Sequence, residues 1–320
     1  MNILKPWRSS RKEKTMNITE SVLTYKRYLK RKNCSAQTVK NYLHRLKQFM
    51  VWVAVPIEQV TSAEVKYYID FLLAQGLKAH SINCHLSSIR RFYDYLKDEE
   101  ELAITNPVTR GMALRVPHPL PKHVKDNDVA VFLQRVKKPR DLAIFMLMLR
   151  CGLRVDEVAG LALDAVDYNR SQILVKSGKG AKDRVVYISH DAAIALARYL
   201  QIRLITTEKK VFLVEKGKSR GKPISVRGIQ KRIEYYSTKG GTKISCHQLR
   251  HTMATQLLNA DADLVSIQEI LGHTRIKTTQ RYSKLSNLKA ERDYHLAMER
   301  VMAGSSLSWI RREEKQRGKA

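Results

Sequence analysis

Cys246-His247-Gln248-Leu249-Arg250-His251 is the stretch around which the rest of this chain makes chemical sense. Three other pieces belong with it: Arg154 in Gly152-Leu153-Arg154, Lys179 in Gly178-Lys179-Gly180, and the run from Leu271-Gly272-His273 to Tyr282. His247 and Arg250 stand at i and i+3, so on a helix their side chains share one face. Together the four pieces gather arginines, a lysine, histidines and a tyrosine into one half of a strongly basic protein.

Outward from that stretch, the second half reads as mainly helical. Residues 141–149 are an apolar helical segment that belongs in a core. After Cys151-Gly152, where glycine permits a tight turn, helix resumes from 154 to 161. Residues 172–176 and 184–189 have the β-branched composition of two strands around a hairpin tip at Ser177-Gly178-Lys179-Gly180. Residues 211–214 read as a third strand and 191–204 as a helix. Helix returns from His247, with breaks near Asp261 and Gly272. One small antiparallel sheet among helices is the expected mixed α+β arrangement.

Residues 106–123 carry Pro107, Pro117, Pro119 and Pro121. Proline removes amide donors and disfavours helix at the preceding residue, so this stretch reads as an extended linker. Before it lie four amphipathic helices within residues 17–105. Val22, Tyr25 and Leu29 mark the first, and Ser35 caps a second striped by Val39, Leu46 and Phe49. Thr61 and Glu64 form a capping box ahead of a third that Gly76 closes, and Ile82, Leu86, Ile89 and Tyr93 line the fourth. Arg90 and Arg91 are expected on its exposed side. The order is thus a basic lead-in (1–16), a helical domain (17–105), a linker (106–123), a second domain (124–300) and a basic tail (301–320).

Composition narrows the function classes. The 320 residues hold 59 Lys+Arg against 30 Asp+Glu, a formal charge of +29. Such an excess attracts polyanions and supplies phosphate contacts. The four cysteines, at 34, 84, 151 and 246, form no Cys-x-x-Cys pair, which disfavours a zinc ribbon and a disulfide framework and fits buried thiols in a reducing cytosol. No apolar run reaches the length of a membrane span, and the basic N-terminus lacks the apolar core of a secretory signal. Met16 opens a cleaner helical segment, which leaves the natural start open between Met1 and Met16.

The cationic set suits phosphodiester cleavage without a metal. Non-bridging oxygens gain charge in the transition state and call for cationic donors, and arginine grips two oxygens at once at any working pH. A lysine at a hairpin tip can reach a leaving oxygen as a general acid. A tyrosine offers a nucleophile once neighbouring positive charge lowers its pKa from about 10. His247-x-x-x-His251 is also a zinc spacing, but the intervening arginine and the missing His-Glu-x-x-His glutamate disfavour a cation.

The blocks and their order resemble the tyrosine recombinase (phage integrase) family, most nearly its small two-domain, Xer-like members. They are Gly152-Leu153-Arg154-Val155-Asp156-Glu157, Gly178 to Arg184, His247-Gln248-Leu249-Arg250-His251-Thr252, Ile267 to His273, and Thr278-Thr279-Gln280-Arg281-Tyr282. The resemblance covers the catalytic half from about residue 120 to Tyr282, with the first four helices looking like the family's SAM-like core-binding domain. It implies that Arg154 and Arg250 clamp the scissile phosphate, Lys179 protonates the departing 5′-oxygen, and His247 assists proton transfer at the tyrosine. His273 would hydrogen-bond the phosphate and Tyr282 would attack it, leaving a 3′-phosphotyrosyl link. Glu157 and His251 would be supports. The partners implied are double-stranded DNA bearing a specific recombination site and further recombinase copies, either a homotetramer on synapsed DNA or paired related recombinases. No cofactor, metal or membrane is implied, and the setting is cytoplasmic, at the nucleoid. No arm-binding domain is expected before Asn17, and residues after Tyr282, with Leu285, Leu288 and Leu296, could pack on a neighbouring protomer. A type IB topoisomerase-like strand transferase and a catalytically silent DNA-binding regulator are the alternatives; an RNA-binding protein would explain the charge but none of the blocks.

Overall fold

The computed structural model describes residues 18–117, 123–176, 183–239, 241, 243–272, 294–299 and 301. The chain divides into two compact units, 1–118 and 119–320.

The first unit is built from four helices, α1 (Ile18–Arg31), α2 (Ala36–Trp52), α3 (Ser62–Ala74) and α4 (Ala79–Asp98). Their ends are set by local chemistry. Ser35 accepts the Thr38 amide at 3.1 Å, so one orphan donor at the start of α2 is satisfied. The Thr61 amide donates to the Glu64 carboxylate at 2.8 Å and the Ala63 amide to the Thr61 hydroxyl at 3.1 Å, closing the capping box of α3. Gly76, at φ 73°, ends that helix. The apolar stripes meet in one core of Tyr25, Leu29, Leu46, Phe49, Val65, Ile89 and Phe92.

Two expectations for this unit meet a different arrangement. Arg90 is half-buried and donates to the carbonyls of Val108 (3.3 Å) and Thr109 (2.7 Å), while Arg91 lies over the Tyr42 ring at 5.6 Å. The described part of the proline stretch is therefore held against α4. Val108 is buried, and Asn83 exchanges two 2.8 Å bonds with the backbone of Leu114.

The second unit surrounds α6 (Pro139–Arg150), whose residues 143–149 are all buried. Around it stand α5 (Asp126–Gln134), α7 (Val155–Gly160), α8 (His190–Ile202), α9 (Val226–Lys239), α10 (Cys246–Asn259) and α11 (Leu264–Leu271). The sheet is antiparallel in the order β1 (Val166–Asp167), β2 (Gln172–Val175), β3 (Arg184–Tyr187), with Ile173 opposite both Val166 and Val186. The third strand is thus 166–167, and not the expected 211–214. Val211, Phe212 and Leu213 are buried, but they make only an isolated bridge, Leu213 to Pro223. Their backbone bonds go elsewhere: the Val211 amide donates to Leu161, and its carbonyl accepts from Tyr199 Oη and Arg203 Nε. Burial makes such a run apolar whether or not it joins a ladder.

Beneath α9 lies a buried charge cluster. Asp141, fully buried, accepts from Arg140 Nε and Nη2 (3.0 and 2.7 Å) through one oxygen. Its other oxygen accepts from Arg232 Nε (2.7 Å) and Tyr236 Oη (3.2 Å). This carboxylate fastens α9 to α6.

Among the described residues no helix is long and apolar enough to cross a membrane. Residues 294–299 are helical and expose Tyr294, Leu296 and Met298.

Candidate active site

Three turns aim the cationic side chains. The chain leaves α6 through Gly152, at φ 64°, a conformation that a side chain disfavours. A Cβ there would stand 3.1 Å from Leu271 Cδ2 and 3.2 Å from Met253 Sδ, so those side chains would have to give by a few tenths of an ångström to admit one. Arg154 follows as the N-cap residue of α7, its amide donating to the Glu157 carboxylate at 2.7 Å. The second turn starts α10: the Ser245 amide donates to Gln248 Oε1 (2.9 Å) and the Gln248 amide to Ser245 Oγ (3.3 Å). That reciprocal cap places His247 in the first turn and Arg250 three residues on. The third turn ends α11, at Gly272 with φ 59°.

The end of α11 organises the site. Helix-terminal carbonyls lack intrahelical donors and carry partial negative charge. Here three successive carbonyls each accept from a different arginine. Ile270 accepts from Arg184 Nε (2.8 Å), Leu271 from Arg250 Nη2, and Gly272 from Arg154 Nη2 (3.3 Å). Arg250, only 2% exposed, also donates through Nη1 to the Gly152 carbonyl. These carbonyls orient the guanidinium.

Glu157 links the remaining pieces. Its Oε1 accepts from Arg154 Nη1 and Arg184 Nη1, and its Oε2 from Arg184 Nη2, each at 2.8 Å. Burial alone would raise its pKa, but the bonds from Arg184 and Arg154 outweigh it and bring it down to about 2. Partial burial, reinforced by Arg250 and Arg154, holds His247 below the usual imidazole range, which favours the neutral ring at pH 7, and the residue stays exposed to solvent. His251 packs edge-on against it, ring centroids 4.2 Å apart.

Arg154, His247 and Arg250 line one cleft of about 860 Å³, walled opposite by α9, with Arg227 and Lys243 adding positive charge. The structure thus brings together three of the six site residues expected from sequence. Lys179, His273 and Tyr282 lie outside the described residues, as do the hairpin tip, Leu285, Leu288 and all of residues 1–17 and 302–320. Arg184, like the cleft-lining Arg227 and Lys243, is a residue at this site to which sequence reasoning assigned no role. Its signal was its place in the Gly178 to Arg184 block. Among the described residues no group of three or more His, Cys, Asp or Glu side chains is placed to hold a metal ion.

With this geometry in hand, comparison with known proteins is specific. Residues 122–288 match the model of the phage integrase family, and residues 22–100 match that of the phage integrase N-terminal SAM-like domain. The chain is 37% identical over 234 residues to the tyrosine recombinase XerC of Actinobacillus succinogenes, covering 71% of this chain and 78% of that protein. It is 31% identical over 271 residues to the tyrosine recombinase XerA of Thermococcus kodakarensis, covering 83% and 91%. In fold it is similar to the integrase of transposon Tn1549 in complex with transposon right end DNA, with a TM-score of 0.72 at 18% identity over 89% of this chain and 99% of that one.

Proposed function

Since the chain belongs to the phage integrase family of tyrosine recombinases, and so is a site-specific recombinase that cuts and rejoins DNA, we propose how its own residues divide that work. Arg154 and Arg250 grip the non-bridging oxygens of the scissile phosphate, where charge grows in the transition state. His273 adds a hydrogen bond to the same group. The Tyr282 oxygen attacks phosphorus while its proton passes to the neutral ring of His247. As the P–O bond to Tyr282 forms, the P–O5′ bond breaks, and Lys179 gives a proton to the departing 5′-oxygen. The product is a 3′-phosphotyrosyl ester and a free 5′-hydroxyl. Because the ester conserves the energy of the broken bond, a 5′-hydroxyl from another strand reverses the step and joins the strands. No cofactor enters this scheme.

The observation that carries it is the convergence of Arg154, His247 and Arg250 on one cleft beside the end of α11, from which the chain runs on to His273 and Tyr282. The partner is double-stranded DNA bearing a specific recombination site, bound by a tetramer across two synapsed duplexes or by paired related recombinases. The structural neighbour from Tn1549, in complex with transposon right end DNA, supports a DNA partner, and the exposed Leu296 and Met298 are apolar material for contact between protomers.

The test is a suicide DNA substrate that traps the covalent adduct. Wild-type protein is expected to form the adduct, and Tyr282→Phe to bind the same DNA without forming it. An adduct surviving Tyr282→Phe would overturn the nucleophile. Binding without any wild-type adduct would mark a catalytically silent regulator, and relaxation of supercoils without a target sequence a topoisomerase-like enzyme.

A further inference from the structure

Arg184 touches no reacting atom in that scheme, yet its side chain is 8% exposed and fully engaged. It stands at the start of β3 and lays two N–H groups on the two Glu157 oxygens, with Nε on the Ile270 carbonyl, all at 2.8 Å. The chain leaves a slot for it: a Cβ on Gly272 would stand 2.9 Å from Arg184 Cδ. Glu157 is therefore a carboxylate shared between two arginines, and the trio of Arg154, Glu157 and Arg184 keeps a net positive charge.

Without Arg184 that balance changes. A carboxylate facing one guanidinium closes a bidentate pair with it. Glu157 Oε2, left with only the Arg154 amide at 2.7 Å, would then have a lone pair for the Arg154 guanidinium, which would be neutralised and drawn away from the cleft. We propose that Arg184 is a positioning residue for the phosphate clamp: by occupying both Glu157 oxygens and the Ile270 carbonyl, it limits Arg154 to one side-chain bond with Glu157 and leaves its charge to the cleft. This rests on the role of Arg154 proposed above. It also gives the block containing Lys179 a second duty, because the strand that follows Lys179 opens with the residue that balances Glu157.

The experiment uses the full chain, with DNA affinity and single-turnover cleavage of a suicide substrate measured for R154A, R184Q, R184K and the double variant E157Q/R184Q. R184Q is expected to bind DNA within about threefold of wild type but to cleave ~10²-fold more slowly, the scale of a misplaced reacting geometry. E157Q/R184Q is expected to recover about tenfold over R184Q, since no carboxylate remains to capture Arg154. R184K, which keeps the charge but loses the planar fork, should fall between wild type and R184Q. Wild-type cleavage by R184Q, or a double variant no faster than R184Q, overturns the proposal. If R184Q is unfolded at the assay temperature, R184K decides in the same way: slow cleavage relieved by adding E157Q supports it, and unrelieved slow cleavage overturns it. Wild-type cleavage by R154A would instead overturn the clamp itself, so the two failures are distinguishable.

Discussion

Replacing Asp141 by alanine removes the carboxylate that Arg140 and Arg232 share beneath α9. The Arg140 side chain is 7% exposed, and without Asp141 it keeps the Leu213 carbonyl at 3.0 Å and Glu215 at 3.7 Å. Stripping one partner from a buried ion pair costs about 3–5 kcal/mol, most of it the charge left behind. The Arg232 side chain is 26% exposed and already stacks on Tyr235 and Tyr236, so it can turn outward, and the lower part of that range applies, ~3–4 kcal/mol. At roughly 2–4 °C per kcal/mol for a unit of this size, the second unit should melt about 6–16 °C lower. Asp141→Asn, which keeps the shape and an acceptor, should cost about half as much. If the stranded Arg140 charge is the cause, then Asp141→Ala combined with Arg140→Met should be more stable than Asp141→Ala alone. Calorimetry and urea titration read both quantities. An Asp141→Ala protein within ~1 kcal/mol of wild type, or a double variant as unstable as the sum of its parts, would refute the reasoning.

Two further predictions concern the site. Gly152→Ala must hold an L side chain at φ 64° and push Leu271 and Met253 aside. It should cost ~2–3 kcal/mol in urea unfolding and, by moving the carbonyl that Arg250 grips, slow cleavage more than it weakens DNA binding; an unchanged urea midpoint would refute it. Because burial, Arg250 and Arg154 all disfavour the imidazolium, His247 loses its proton below the usual 6.5. Single-turnover cleavage should therefore fall on the acid side with a midpoint below 6.5. A midpoint at or above 6.5 would contradict a neutral His247 as the proton acceptor.

What the sequence made legible was local. Ser35, the Thr61 and Glu64 pair and Gly76 act on neighbours within four residues, so their caps could be read directly. The two long strands are strands for the same reason. Arg154, His247 and Arg250 were legible as a motif because the chemistry proposed for them demands particular residue types at particular spacings. Features set by distant partners were not. The strand at 211–214 was expected because an apolar run looks alike in a sheet and in a buried loop. The 226–239 segment went unassigned although Ile229, Ile233 and Tyr236 follow a helical period, its many charges diluting the signal. Arg90 looked like a solvent-facing charge because its acceptors, the carbonyls of 108 and 109, carry no mark in sequence. Backbone carbonyls are invisible for that reason everywhere, which is why the arginine anchorage on α11 emerges only in three dimensions.

That anchorage ties two halves of the chemistry to one footing. The carbonyls of 270, 271 and 272 fix three guanidinium groups, and the next residue in the chain opens the segment that ends at Tyr282. On the proposed roles, a shift at the end of α11 displaces the attacking group and disarms the phosphate grip in the same movement. A protomer with its nucleophile withdrawn is then also one with a weakened hold on the scissile phosphate.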